Sequence, residues 1–180
     1  SDNGNTFNSV ASLNNGFFGL VETTTGGVVL VAKEENGLGK LYRSTDNGST
    51  WSQVTNIDLE DGIVRAISKL ENGALAVVTK SNVFKTTDGG STWTSIKGNG
   101  TFTVHPNGAG DIWRVGLTVN ASGHYYFSNL NELHISTNGG STWTRKNGVN
   151  GTNLFEPVFD GNNNLIIGSN NNGFYTTTNN

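Results

Sequence analysis

Carboxylates are the side chains of this sequence with the widest capacity for chemistry, and their placement sorts them. Asp46 and Asp88 stand in two near-copies of one stretch, Ser44-Thr45-Asp46-Asn47-Gly48-Ser49-Thr50-Trp51 and Thr86-Thr87-Asp88-Gly89-Gly90-Ser91-Thr92-Trp93. A third copy, Ser136-Thr137-Asn138-Gly139-Gly140-Ser141-Thr142-Trp143, has Asn138 at the same place. An Asp there could ligate a metal or act as an acid. An Asn cannot replace a charged catalyst, but its side-chain oxygen can lock the same turn. The three copies therefore read as a turn device. Asp46, Asp88 and Asn138 are expected to bond backbone N–H groups further along, while Gly48, Gly90 and Gly140 take positive φ. Trp51, Trp93 and Trp143 are expected to open the outgoing strand and offer apolar area to a neighbouring unit.

The remaining candidates lie between the copies. The longest insertion, Lys97 to Ile112, carries Phe102, His105 and Asp111 and runs into Trp113, the one Trp outside the copies. Aromatic faces beside Asn and Asp side chains hold sugar rings, and long loops on a rigid scaffold are where binding concentrates. Trp113 can equally pack between repeats. His105, His124 and His134 fall on different elements without metal-ligand spacing, so no metal is expected. There is no phosphate loop and no nucleophile elbow, and no cofactor is expected.

Strand-like runs flank each copy: Lys40-Leu41-Tyr42-Arg43 and Trp51-Ser52-Gln53-Val54 around the first, Asn82-Val83-Phe84-Lys85 and Trp93-Thr94-Ser95-Ile96 around the second. Alternation on both sides of an Asn/Asp/Gly turn predicts hairpins. Near-copies at a period near forty make this a repeat protein. The pattern S/T-x-D-x-G-x-T-W resembles the Asp-box of the BNR repeat, known from sialidases, xyloglucanases and sortilin-type receptors. The resemblance covers almost the whole chain. It implies a β-propeller in which the box joins the third and fourth strands of a blade, away from the face that carries catalysis.

Two part-copies extend the pattern. Asp2-Asn3-Gly4-Asn5-Thr6-Phe7 matches the back half of the box with Phe for Trp, and Gly173-Phe174-Tyr175-Thr176-Thr177-Thr178-Asn179-Asn180 matches its approach. The boxes fall at 2, 46, 88, 138 and 179, spaced by 44, 42, 50 and 41. The expected architecture is an all-β, single-domain propeller over residues 1–180. Its repeats lie near 11–54, 55–96, 97–145 and 146–180 plus 1–10. Four blades of four antiparallel strands are expected, with Thr6–Val10 completing the last beside Phe174–Thr177. Closure of this kind removes unpaired edges. Two chains forming one larger ring is the alternative. Aligned inner strands put Gly19, Ala66, Gly116 and Glu156 at one level around the axis. Pro157 is expected at a bulge or unpaired edge.

In such a propeller the second-to-third and blade-to-blade loops share the face opposite the boxes. That face collects Glu34, Glu35, Asp58, Glu60, Asp61, Asp111 and Glu132, half of the 14 acidic residues. They could serve a cation or a basic partner, or be solvated carboxylates.

Composition bounds the function. A net charge of −3 with dispersed Lys and Arg argues against nucleic acid. No run approaches the ~20 apolar residues of a membrane span. No leader-type segment is present, so the chain is expected to be mature, trimmed or cytosolic. Zero cysteines leaves secretion open, since many bacterial secreted proteins lack them. The Asn-, Thr- and Gly-rich, low-charge composition favours a secreted or cell-surface location. The resemblance to sialidases does not extend to catalysis: Arg43, Arg65, Arg114 and Arg145 are the only arginines, and Arg43 and Arg145 adjoin boxes, so no arginine triad can be built.

The leading expectation is a non-catalytic extracellular module that binds glycan or protein through its loop face, as a monomer or as a dimer completing a larger ring. Phe102, His105, Asp111, Trp113 and Glu156 are its candidate ligand-binding residues. A glycoside hydrolase, or a fragment of one, using Glu156 with Asp58, Asp61 or Asp111 is the second. A structural spacer or assembly module is the third.

Overall fold

A computed structural model of the chain describes residues 17–22, 29–35, 38–59, 64–79, 81–98, 115–129, 131–149 and 154–177. These residues form fifteen strands: β1 (Phe17–Glu22), β2 (Val29–Glu35), β3 (Leu38–Ser44), β4 (Ser52–Gln53), β5 (Ala66–Lys69), β6 (Leu75–Val78), β7 (Val83–Thr86), β8 (Thr94–Ser95), β9 (Gly116–Val119), β10 (Tyr125–Ser128), β11 (Leu133–Ser136), β12 (Thr144–Lys146), β13 (Val158–Phe159), β14 (Leu165–Ser169) and β15 (Gly173–Thr177). They make four antiparallel sheets in chain order, β1–β4, β5–β8, β9–β12 and β13–β15. Each strand pairs with the next in sequence, so every sheet is an up-and-down meander.

The core follows from the two-residue period of the second strands. In β6, Leu75 and Val77 enter the cluster shared with sheet one, while Ala76 and Val78 enter the cluster shared with sheet three. In β10, Tyr125 and Phe127 face sheet two and Tyr126 faces sheet four. A strand apolar on both faces is buried on both, and β6 and β10 are buried throughout. The outer strands β4, β8 and β12 are exposed along their length. Three apolar clusters thus fill three junctions between four sheets. Among the described residues no cluster joins sheet four to sheet one.

The strands fall where alternation places them, with one correction. The Trp residues do not open the outgoing strands, which start one residue later at Ser52, Thr94 and Thr144. The Trp belongs to the turn: the indole N–H of Trp51 donates back to Gly48 O at 2.9 Å, and that of Trp143 to Gly140 O at 3.1 Å. Pro157 sits where the inner strand of sheet four breaks. Leu154 faces Ser169 and Val158 faces Ile166, four steps on one strand against three on the other. That extra residue is a bulge, which suits a residue with no N–H to give. Asp2 and Thr6–Val10, the expected fourth strand of the last sheet, lie outside the described residues.

Candidate functional site

The repeated turns consume their own polar groups. The Ser44 hydroxyl donates to Asp46 Oδ1 at 2.7 Å and accepts the N–H of Gly48 at 2.8 Å. Asp46 Oδ1 accepts the Thr50 N–H at 2.8 Å, and Oδ2 accepts the Thr50 hydroxyl at 2.6 Å. Thr86, Asp88, Gly90 and Thr92 repeat this set with the same distances. In the third copy Asn138 Oδ1 accepts the Thr142 N–H at 2.9 Å, but its Nδ2 now donates to the Thr142 hydroxyl at 2.7 Å. One hydrogen bond reverses direction and the turn survives. The Asp is therefore a turn lock. The sequence reading assigned no role to the leading Ser44, Thr86 and Ser136, although a hydroxyl recurs there in every copy.

These bonds set a pH dependence. The Thr50 hydroxyl and N–H, then Ser44, hold Asp46 down to about 2 from an ordinary 3.8. Thr92 does the same for Asp88, to about 2. Both folded values lie below the unfolded ones. The stabilisation is complete above pH ~4 and is lost as pH falls through about 2. Melting temperature should drop across that window. Replacing both Asp46 and Asp88 by Asn, the residue the third copy already uses, should flatten the drop; an unchanged acid limb would mean the turns carry no linked stability.

The second and third turns also dock their sheets on the one before. Trp143 lies against Tyr125 and Phe127, with ring centroids 6.4 and 6.3 Å away, and its N–H reaches Ile96 O in sheet two at 2.8 Å. Trp93 packs in the cluster with Leu30 and Leu41 of sheet one. There Arg43 Nε donates to Gly89 O at 2.5 Å and Asn56 Nδ2 to Ser91 O at 2.5 Å. A polar tie crosses the next junction: Lys85 Nζ donates to Glu71 Oε1 at 2.6 Å and to the Tyr125 hydroxyl at 2.5 Å, and that hydroxyl donates to Glu71 Oε1 at 2.6 Å. Burial opposes the Glu71 charge, but the bonds from Lys85 and Tyr125 outweigh it and hold the carboxyl below its usual range. This tie was not legible in the sequence, because Tyr125 sits in the repeat after the one that holds Glu71 and Lys85.

Of the predicted ligand-binding residues, Glu156 is described. Phe102, His105, Asp111 and Trp113 lie outside the described residues, as does Asp61. Glu156 lies against Gly116 as the inner-strand alignment expected. A Cβ built on Gly116 would come within 2.5 Å of Glu156 Cα, Cβ and Cγ. The residue keeps an open side to solvent, yet burial pushes its carboxyl above the usual range. Ser68 of β5 lies close enough to favour the charged form without a formed hydrogen bond at its buried hydroxyl. Ser68, Gly116 and Glu156 thus bring three inner strands together. Asp58 is exposed. Glu132 accepts from His134 at 2.9 Å and pairs with Arg145 at 3.1 Å, so it is committed to its own sheet. Among the described residues no three His, Cys, Asp or Glu side chains gather as metal ligands.

The loops opposite the repeated turns form the other end of the sheets. Along β3, β7 and β11 the turn leaves from one end, so the loops from β2 to β3, β6 to β7 and β10 to β11 lie at the other. Asn129 shows how these loops are built: its Oδ1 accepts the N–H groups of Asn131 and Glu132 at 3.1 and 2.8 Å. No helix of the described residues is long and apolar enough to cross a membrane.

No family model and no curated protein matches the chain. Solved structures do. The GH74 enzyme of Niastella koreensis superposes with a TM-score of 0.64 at 19% identity, covering 89% of this chain and 28% of that one. YCF48 bound to D1 peptide gives 0.55 at 21% identity, covering 84% and 47%. PorZ, a surface component of the type-IX secretion system of Porphyromonas gingivalis, gives 0.58 at 15% identity, covering 86% and 23%. The chain spans less than half the length of each. These neighbours are β-propellers, and the likeness assigns this chain's antiparallel sheets to that fold.

Proposed function

We propose that the chain is a secreted or cell-surface binding module that takes a glycan or a protein segment on the loop face of a small propeller. The observation that carries this is the internal bonding of the repeated turns. Their Asp, Asn, Ser and Thr side chains bond within their own turns, which makes that face scaffold and leaves the opposite loops for recognition. YCF48 with its D1 peptide and the surface component PorZ support a binding role on this fold. We read the turns as Asp-boxes of BNR type, and Thr6–Val10 as the outer strand of a fourth blade in a closed ring. Phe102, His105, Asp111, Trp113 and Glu156 are the proposed ligand-binding residues. Binding to a glycan array or an extracellular peptide library should be lost in Trp113→Ala and retained in a variant with Asp46 and Asp88 changed to Asn. No binder on either library, or loss only in the turn variant, would overturn the reading.

Glu156 favours a second reading. A carboxyl pushed above its usual range by burial is what a glycosidase general acid uses. The neighbouring GH74 enzymes give that reading a fold precedent. Hydrolysis of a β-glucan that falls at least a hundredfold in Glu156→Gln would establish it; absence of hydrolysis by the unmodified chain would end it.

A further inference from the structure

An asparagine followed by glycine is the asparagine context most prone to hydrolysis in water, because a residue without a side chain lets its backbone nitrogen reach the asparagine side-chain carbonyl. The chain holds eleven such dipeptides, a consequence of building its turns from these two residue types. Five are described, beginning at Asn47, Asn72, Asn138, Asn147 and Asn172. The fold restrains four of them. Asn47 is exposed, but the nitrogen that would attack it is held, because the Gly48 N–H donates to Ser44 Oγ at 2.8 Å. Asn138 is held by its own amide: Oδ1 accepts the Thr142 N–H at 2.9 Å and Nδ2 donates to the Thr142 hydroxyl at 2.7 Å. Asn172 Nδ2 donates to the Tyr175 hydroxyl at 3.2 Å. Asn72 lies in the short 3-10 turn Glu71–Gly73, closed by Leu70 N–H on Ala74 O at 2.8 Å and Ala74 N–H on Glu71 O at 3.0 Å, and Glu71 is itself tied to Lys85 and Tyr125.

Asn147–Gly148 has none of these restraints. It follows the last residue of β12, at the loop end of sheet three, and both residues are exposed. Among the described residues neither the Asn147 amide nor the Gly148 N–H has a hydrogen-bond partner. Gly148 has φ +94°, and beyond its chain neighbours a Cβ there would meet no atom within 4 Å. Exposed backbone without a ladder bond changes conformation at little cost in free energy.

We propose that Asn147–Gly148 is a self-modification site, at which the folded chain converts an asparagine of its loop face to aspartate and isoaspartate. The Gly148 nitrogen gives its proton to solvent and bonds to Asn147 Cγ. The Cγ–Nδ2 bond breaks, and the amide nitrogen takes up a proton and leaves as ammonia. Water then opens the resulting succinimide ring. Attack at Cγ restores the main chain with aspartate, and attack at the main-chain carbonyl leaves isoaspartate, with the chain running through the former side chain. The sum is amide plus water giving carboxylate and ammonium, with nothing oxidised or reduced. Either product adds a negative charge two residues beyond Arg145, which pairs with Glu132 at 3.1 Å. The loop face of sheet three therefore changes charge with age. The reaction needs only the chain and water, so it stands apart from the proposed binding role.

The test is a time course of the full chain in warm, mildly alkaline buffer, read by peptide mapping with mass spectrometry. Asn147 should convert at least about tenfold faster than Asn47, Asn72, Asn138 and Asn172, whose turns must open first. In concentrated urea the five rates should converge. Asn147 no faster than the other four in buffer would overturn the site, and so would an unchanged ranking in urea, because the cause would then be local sequence. Ser44→Ala tests the restraint separately. It frees the Gly48 N–H and should speed Asn47 toward the rate of Asn147, while Asn138, whose turn is untouched, stays slow and reports that the fold is intact. Asn47 as slow as before in that variant would overturn hydrogen bonding as the reason that Asn147 stands out.

Discussion

Trp143→Ala is expected to lower the unfolding free energy by about 3–5 kcal/mol, the range for truncating a large aromatic in a core. The ring is shared between two sheets, lying on Tyr125 and Phe127 in its own and donating to Ile96 O in the one before. Its loss removes packing and leaves a carbonyl unmet. Trp143→Phe isolates the second part. It keeps most of the ring area and should cost about 1–2 kcal/mol through the lost hydrogen bond. Trp93 supplies the contrast, because its Nε1 is buried and meets no acceptor. Trp93→Phe should therefore be neutral or slightly stabilising, while Trp93→Ala falls in the same range as Trp143→Ala. Urea unfolding of the four variants checks the set. Equal losses in both Phe variants would show that the indole N–H does not distinguish the junctions.

Gly140→Ala is expected to cost about 3 kcal/mol or more, and Gly139→Ala only about 1. Both glycines have positive φ, +88° and +67°, where an L side chain carries a penalty of roughly 1–2 kcal/mol. They differ in what a Cβ would meet. At Gly139 there is open space, whereas at Gly140 it runs into the carbonyl oxygen of Ile96 and lies 2.6 Å from the Ile96 Cβ. Ile96 is the residue whose carbonyl binds Trp143, so the clash pushes apart the contact that seats sheet three on sheet two. Gly98 faces the same seam from the other side, with Ser141 O where its Cβ would be. The two adjacent substitutions share solvent and sequence context, so their difference measures docking alone. A Gly140→Ala protein as stable as Gly139→Ala would mean the seam yields.

The strands were legible because alternation between Asx turns leaves little freedom in placing them. Val83–Thr86 and Leu165–Ser169 lie at the expected residues. The break at Pro157 followed from its missing N–H. Asn138 in the third turn already argued that Asp46 and Asp88 are locks, and the reversed Asn138–Thr142 bond shows how. What was hidden depends on distances between repeats. Neither the Glu71–Lys85–Tyr125 tie nor the unmet N–H of Trp93 has a signature within one repeat. The alignment brought Glu156 beside Gly116, but the burial that raises its carboxyl comes from three inner strands meeting. For binding, the sequence points to Phe102, His105, Asp111 and Trp113 through their residue types and the length of their loop.

The proposed closed ring requires every blade to be seated on its predecessor by the aromatic residue of its turn. Trp51 and Phe174 decide it. Phe174 occupies the station of Leu41, Val83 and Leu133, which are 0%, 0% and 2% exposed, yet it is 71% exposed itself. Among the described residues a Cβ on Gly48 meets the ring of Trp51 alone, whereas one on Gly90 also meets Leu30 and Arg43 of the preceding sheet. Among the described residues nothing packs between this trailing face of sheet four and the leading face of sheet one. The direct measurement is a double-mutant cycle of Trp51→Ala and Phe174→Ala in unfolding free energy, at a dilution where light scattering gives the 19.1 kDa monomer. A closed ring predicts a coupling of about 1 kcal/mol or more between the two. Additive losses, with Trp51→Ala costing far less than Trp93→Ala, would contradict closure.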